Sequence, residues 1–115
     1  MRNLTDSQKE IYANWRLFVE NLTNRVRRMT DEQLLYFFRK SREAVTLTDN
    51  AIADESDICI TYDFCGIGMA LFFPISNPEN KEIIDNIITM RSNLFGKLCR
   101  EVADRGLLGE NFGKF

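Results

Sequence analysis

The first quarter of the chain carries an apolar stripe with helical spacing. Its members recur every three or four residues and are Ile11, Trp15, Phe18, Leu22, Val26 and Met29. This spacing predicts an amphipathic helix of about six turns. Thr5 with Gln8, or Ser7 with Glu10, has the pattern of a capping box, so we expect the helix to begin at one of these pairs.

A second helical stripe follows after a connection of only a residue or two. Thr30 and Gln33 form another capping-box pattern. The positions that continue at helical spacing are Leu34, Phe37, Phe38, Ser41, Val45, Thr48 and Ile52. Because the connection is so short, we expect the two helices to form an antiparallel hairpin. A single helix broken at Thr30 is the alternative, since neither Pro nor Gly enforces a turn.

The period then changes from helical spacing to the alternation of a strand. Ile58, Ile60 and Tyr62 alternate with more polar residues, and after a short Asp- and Gly-containing link a second apolar alternation runs to Phe73. Two such runs predict an antiparallel β-hairpin. Pro74 cannot donate to a strand ladder, so we expect the second strand to end there.

A third helix is predicted after the hairpin. Asn77 is a suitable N-cap, Pro78 suits the first helical position, and Gly106 is a natural C-cap. The wide apolar face between them comprises Ile84, Ile87, Ile88, Arg91, Leu94, Phe95, Leu98 and Val102. We therefore expect one compact α+β domain over residues 1–115, in the order α-α-β-β-α, with the helical hairpin and the β-hairpin packed against a long third helix.

The hairpin and the apolar C-terminal arm, residues 107–115, together predict an interface. A two-stranded sheet is marginal in water, both of its faces carry apolar residues, and only three helices are available to cover them. The residues that we expect in an interface with another protein or a second copy are Ile67, Met69, Leu71, Phe73, Leu107, Leu108, Phe112 and Phe115. For the arm, docking on the protein's own core is the alternative. The small residues Gly66, Gly68 and Ala70 favour close packing of a helix or backbone on the other face.

Composition argues against catalysis. The chain has 115 residues, a net charge of −2 and no histidine, so the commonest acid–base group and metal ligand is missing. We expect no cofactor. The start of the chain lacks the pattern of a secretory signal, the longest apolar run is shorter than the about 20 residues that span a bilayer, and the three cysteines form no Cys-x-x-Cys pair. These features predict a cytoplasmic protein with reduced thiols and no membrane partner.

Arginine pairs at helical spacing form the strongest candidate ligand site. Arg25 and Arg28 end the first helix, and further cations follow on the second. In a helical hairpin these groups could form one basic ridge for a phosphate-bearing ligand, with aromatic rings beside it for stacking. The candidate ligand-binding residues are Arg25, Arg28, Arg39, Lys40, Arg42 and Tyr36, with Trp15 and Phe37 as further stacking platforms. A solvated helix face is the favoured interpretation.

Two further sequence patterns are weaker candidates for a ligand-binding site. Asp54, Glu55 and Asp57, with Asp49 nearby, could hold a divalent ion, but the spacing does not fit an EF-hand and we expect solvated acids and no metal site. The Gly-Ile-Gly sequence at 66–68 lies inside a strand, where a phosphate-binding loop does not occur.

Three functions of different classes follow, in order of preference. The first is a non-enzymatic binding or regulatory protein of inhibitor or adaptor type that acts through protein–protein interaction and forms a homo-oligomer. The second is a nucleotide- or nucleic-acid-binding module that uses the arginine ridge. The third is a divalent-metal enzyme built on the acidic residues.

Overall fold

The structure, a computed structural model, describes residues 4–64 and 67–107, with hairpin side chains described up to Thr61 and again from Ala70. The elements in chain order are α1 (Asp6–Arg25), a 3₁₀ turn (Val26–Arg28), α2 (Asp31–Asp54), β1 (Asp57–Phe64), β2 (Ile67–Pro74), a 3₁₀ turn (Pro78–Asn80) and α3 (Lys81–Asp104). The strands are antiparallel neighbours in a two-stranded sheet. This order confirms the predicted α+β class and the α-α-β-β-α arrangement.

Both predicted capping boxes are present. The Thr5 hydroxyl accepts from the Gln8 amide at 3.2 Å, and the Gln8 side chain accepts from the Thr5 amide at 2.9 Å. Thr30 and Gln33 make the same reciprocal pair at 3.2 and 3.1 Å. Because a capping box satisfies backbone donors that only a helix start leaves free, the second box makes α2 a separate helix.

The connection between α1 and α2 is held by the far end of α3. Arg105 donates through Nη1 to the Met29 carbonyl at 2.8 Å and to Asp31 Oδ1 at 3.0 Å, and through Nε to Glu101 Oε2 at 2.9 Å. Each of α1 and α2 contacts α3 more extensively than the two contact each other. The predicted helical hairpin is therefore open, and α3 lies at the base of the space between its two helices.

The buried face of each of the first two helices is rotated from the predicted stripe. In α1, Tyr12 and Val19 are buried, whereas Ile11 is only partly buried and Phe18 is 44% exposed. In α2, Ala51 is buried and Ile52 is 43% exposed. The cause is that a tyrosine and an alanine belong to the core face that the structure shows. The Tyr12 ring stacks near Trp15, and its hydroxyl accepts a hydrogen bond from Asn86 Nδ2 at 2.7 Å, so the polar end of the side chain has a partner within the core.

Over the described side chains, the burial of the two faces of the β-hairpin is the reverse of what the sequence predicts. Leu71 and Phe73, expected in an interface, are buried in the protein's own core, opposite Ile60 and Ile58. The face expected to pack closely is outward: Ala70 and Phe72 are exposed, Phe72 by 61%. The face that meets the helices is the one whose side chains together bury more apolar area, since Phe72 is the single large apolar side chain described on the other face.

The C-terminal end of α3 confirms Gly106 as its cap. Gly106 has φ +71°, and the amides of Gly106 and Leu107 donate to the carbonyls of Ala103 and Val102, which is a Schellman motif. Leu107 packs partly buried against the core. The expected interface residues Leu108, Phe112 and Phe115 lie outside the described residues, and the side chains of Ile67 and Met69 are likewise not described.

Candidate functional site

An open groove separates α1 from α2. A cavity of about 510 Å³ lies between Trp15 and Phe18 on α1 and Tyr36 and Lys40 on α2, with Arg91 of α3 also in its lining. A second cavity of about 560 Å³ continues between α2 and β1. The two cavities share four lining residues: Lys40, Ala44, Thr61 and Arg91. We call this continuous depression the α2 groove.

Arg91 lies where the two cavities meet. Its Nη1 donates to Thr48 Oγ1 at 2.7 Å, its Nη2 donates to the Cys59 carbonyl at 2.7 Å, and its Cζ lies 5.6 Å from the centre of the Trp15 ring. Burial lowers the pKa of the guanidinium. Among the residues whose side chains are described, no carboxylate forms an ion pair with Arg91. Within the described part of the chain, this partly buried cation contacts a hydroxyl, a carbonyl and an aromatic face and no negative charge.

The free edge of β1 forms one wall of the groove. Since the Cys59 carbonyl bonds to Arg91, the backbone of Cys59 faces away from β2, and Ser56 faces β2 because its carbonyl accepts from Ile75. Backbone direction alternates along an antiparallel pair, so Asp57 and Thr61 also direct their backbone groups to this edge. All three of these β1 residues line the cavity. An N–H and a C=O of Asp57 and of Thr61 are thus available there.

Apolar side chains with high exposure stand along the groove. Phe18 is 44%, Tyr36 52% and Leu47 59% exposed, and each lines one of the two cavities. The Lys40 ammonium lies 5.9 Å from the centre of the Tyr36 ring, which itself meets Phe37 edge-on at 5.1 Å. These side chains give the groove apolar and cationic character at one end.

The opposite end of the groove is acidic. Asp54 and Asp57, both predicted members of the acidic cluster, line the cavity beside Glu43. Glu55 has a left-handed backbone at φ 53°, and Asp49 is exposed outside both cavities. Within the described ranges, no three Asp, Glu, Cys or His side chains converge as metal ligands. These carboxylates therefore set the local charge of the groove and form no ready ligand set.

The predicted basic ridge is only partly assembled. Arg25 and Arg28 border a recess of about 220 Å³ beside Phe37, and Arg39 borders a neighbouring recess that shares Phe37. Lys40 turns instead into the α2 groove. Arg42 lies towards α3, where its charge acts on the thiol of Cys99. A helix turns by about 100° per residue, so these last two side chains point to different sides of α2.

For each of the two described cysteines, burial raises the thiol pKa by more than the neighbouring arginine lowers it. Burial raises the pKa of Cys59 against the opposing charge of Arg91, and burial raises that of Cys99 against Arg42. Both are free of disulfide bonds. A raised pKa disfavours the nucleophilic thiolate, so neither cysteine has the environment of a reactive thiol.

The sequence pattern contained Arg91 but did not identify it as a site. It stands between Ile87, Ile88 and Leu94 on the apolar face of α3. A cation at a core position of an amphipathic helix is uncommon unless it is paired or functional, and that departure was the available signal. Its neighbours could not be foreseen, because Trp15, Thr48 and Cys59 come from three other elements.

No protein-family model matches the chain, and searches of curated proteins and of solved structures gave no significant match. Among the helices in the described part of the chain, none combines the length and the apolar character needed to cross a membrane.

Proposed function

We propose that this protein is a non-enzymatic binding protein, of inhibitor or adaptor type, that takes an extended segment of another protein into the α2 groove. The free edge of β1 carries this proposal. Asp57 and Thr61 offer backbone donors and acceptors at two points along the groove, on either side of the Cys59 carbonyl that Arg91 occupies, and an extended segment gains affinity from such groups without a requirement for particular side chains.

The exposed apolar side chains of the groove support a polypeptide occupant. Phe18, Tyr36 and Leu47 are large and lie beside the free edge, so alternate side chains of an added strand would find apolar surface there. The composition of the chain, which contains no histidine, favours binding over catalysis. We also propose a cytoplasmic location, which the free thiols of Cys59 and Cys99 support.

Site-specific photocrosslinking tests this function. The photoreactive residue p-benzoylphenylalanine replaces Leu47 in the groove, and in a control chain it replaces Leu17, which is 57% exposed but lines none of the cavities described above. After irradiation in extract of the native host, we expect a discrete covalent adduct at position 47 that is absent at position 17. Adducts of equal yield at the two positions, or none at either, contradict the proposal.

The mass of the adduct also bears on the predicted homo-oligomer. An adduct of twice the chain's mass identifies a second copy as the occupant, whereas any other discrete mass identifies a different protein. The homo-oligomer is thus a separate part of the proposal, and a doubled mass would contradict another protein as the occupant of the groove.

A second candidate is the nucleotide- or nucleic-acid-binding module. The observation that favours it is that Arg25, Arg28 and Arg39 border two recesses sharing the ring of Phe37. A fluorescein-labelled single-stranded oligonucleotide tests it. If this candidate holds, added salt weakens binding and the Arg25→Gln/Arg28→Gln variant loses affinity, while Arg100→Gln does not. An affinity that neither added salt nor the Arg25→Gln/Arg28→Gln substitutions change excludes this candidate function.

A further inference from the structure

We propose that Arg91 is the receptor for a carboxylate, supplied by an acidic side chain of the segment that occupies the α2 groove. This inference rests on the proposed function, because it specifies the chemistry of that segment. It follows from the donors that Arg91 leaves unused, from the way in which the guanidinium is held, and from the charges around it.

The guanidinium of Arg91 has hydrogen-bond donors that it does not use. A guanidinium has five N–H groups, and Arg91 uses two of them, on Thr48 and on Cys59. Both acceptors are neutral, and no described carboxylate pairs with the guanidinium. A partly buried cation without a counter-ion is costly, whereas a carboxylate that accepts two parallel N–H bonds from it gives one of the stronger ion pairs in proteins.

The guanidinium is held in place before any ligand arrives. Thr48 on α2 and Cys59 on β1 fix its two terminal nitrogens at 2.7 Å each, and Trp15 on α1 lies along its face. Three elements thus restrain one side chain. A donor group that is already ordered loses little conformational freedom on binding, so its interactions contribute more fully to affinity.

The charge around Arg91 selects an isolated carboxylate over a polyanion. Lys40, which lines both cavities as Arg91 does, adds a second positive charge to the middle of the groove. Glu43, Asp54 and Asp57 line only the cavity between α2 and β1. A nucleic-acid backbone, which repeats a negative charge along its length, would meet these carboxylates, whereas a polypeptide can carry one acidic side chain at Arg91 and neutral or basic residues beyond it.

The groove also continues on both sides of Arg91. On the side away from the acids, Trp15, Phe18 and Tyr36 line the cavity, and they suit a large apolar side chain beside the acidic one. The expected recognition element is therefore an acidic residue next to an aromatic or large aliphatic residue. A small molecule with the same two groups reproduces it.

Titration of the full chain with 3-phenylpropionate tests the inference. Trp15 is the single tryptophan and lies against Arg91, so its fluorescence reports binding at this place. The controls are 3-phenylpropanamide, which has the same shape without the charge, and inorganic phosphate. Because charge-assisted bonds are much stronger than neutral ones, we expect the acid to bind at least about tenfold more tightly than the amide. Equal binding of acid and amide, or equal binding of phosphate and acid, overturns the inference.

Two variants and a matched control locate the effect. Arg91→Lys keeps the charge but loses the planar fork, and we expect about a tenfold loss of affinity for the acid. Arg91→Gln should remove the preference for acid over amide, and Arg100→Gln, on the exposed side of α3, should leave it unchanged. If Arg91→Gln fails to fold, the comparison of acid with amide on the native chain still decides the question.

The inference and the proposed function can fail separately. A groove that crosslinks at Leu47 but binds acid and amide equally retains the proposed function and refutes the carboxylate at Arg91. A groove that binds 3-phenylpropionate through Arg91 but gives no adduct at Leu47 in extract retains the carboxylate site and refutes the protein segment as its occupant.

Discussion

The guanidinium of Arg91 lies over the indole ring of Trp15, with its Cζ 5.6 Å from the ring centre. This contact joins α3 to α1 at the base of the α2 groove, where Arg91 also bonds to α2 and β1. A charged group that touches three elements could serve only to hold them together. Its unused donors and its lack of a described counter-ion instead favour a role in binding.

If Arg91 serves binding more than stability, an apolar replacement of similar length should be tolerated. For Arg91→Met we expect the free energy of unfolding to stay within about 1 kcal/mol of the native value or to rise, because replacing a buried charge by a hydrophobe of similar volume is often neutral or stabilising. Urea denaturation followed by Trp15 fluorescence measures this. A loss as large as that of Leu98→Ala, a full core truncation of about 2–5 kcal/mol, would make Arg91 structural.

Two adjacent phenylalanines give a sharp test of the hairpin's orientation. Phe73 is 1% exposed and Phe72 is 61% exposed. We expect Phe73→Ala to lower the free energy of unfolding by about 3–5 kcal/mol, and Phe72→Ala to change it by no more than about 0.5 kcal/mol. The reverse order in a denaturation experiment would mean that the sheet presents its other face to the helices.

The exposed face with Phe72 also bears on self-association. If the predicted homo-oligomer forms through this outer face, the native mass of Phe72→Ser should fall to that of one chain. The melting temperature of Phe72→Ser should stay near that of the unsubstituted chain measured at a dilution that separates its copies. A mass that Phe72→Ser leaves unchanged removes this face from the interface.

Glu55 holds the end of α2 in a backbone conformation that suits glycine. It has φ 53° and ψ 35°, while its own amide and that of Ser56 bond to carbonyls of the last helical turn. A residue with a Cβ pays roughly 1 kcal/mol there. We therefore expect Glu55→Gly to raise the free energy of unfolding by about 0.5–1 kcal/mol. Ser56→Gly is the control, and an equal gain in the control would mean that strain at Glu55 is not the cause.

The partly buried thiols of Cys59 and Cys99 predict a fall in stability at alkaline pH. Burial raises the pKa of Cys59 and of Cys99 above the value that each has in the unfolded chain. The unfolded state therefore loses its thiol protons first, so this contribution is fully present below about pH 8.5 and declines as pH rises through the folded pKa. In Cys59→Ala/Cys99→Ala the decline between pH 8 and 10 should be smaller than in the native chain. An identical slope in both proteins refutes this assignment.

The elements of the fold were predictable because their signals are local. Thr5 with Gln8 and Thr30 with Gln33 satisfy donors within one turn, and Gly106 adopts its left-handed conformation with its own helix as partner. Such contacts depend on a few neighbouring residues and persist in any tertiary arrangement. The bounds of the helices followed from them, and the strands followed from the alternation of apolar residues.

The faces of the elements were less predictable because they depend on distant partners. Phe18 and Tyr12 both lie on apolar turns of α1, and Tyr12 is buried against Phe73, with its hydroxyl satisfied by Asn86, 74 residues away. Phe72 and Phe73 are equally apolar, and only the position of the helices decides which one is covered. Sequence periodicity gives the existence of an apolar face more reliably than its exact direction.

The α2 groove was not predictable from the sequence, for the same reason. It exists because α1 and α2 both pack on α3 and leave a space between them, and its lining comes from four elements. Arg91 stood out only as a cation on an apolar face. The predicted arginine ridge assumed that the two helices would pack side by side, whereas they are separated. Lys40 and Arg42 lie on different sides of α2 because a helix turns by about 100° per residue.

The most direct test of the account is the nuclear magnetic resonance signal of the Arg91 side chain in ¹⁵N-labelled protein, assigned with Arg91→Lys. On addition of 3-phenylpropionate we expect the Nε–H signal of Arg91 and the indole N–H signal of Trp15 to move together and to saturate, with no comparable movement on addition of 3-phenylpropanamide. Signals that stay in place with the acid, or that move equally with the amide, would contradict a carboxylate receptor at the base of the α2 groove.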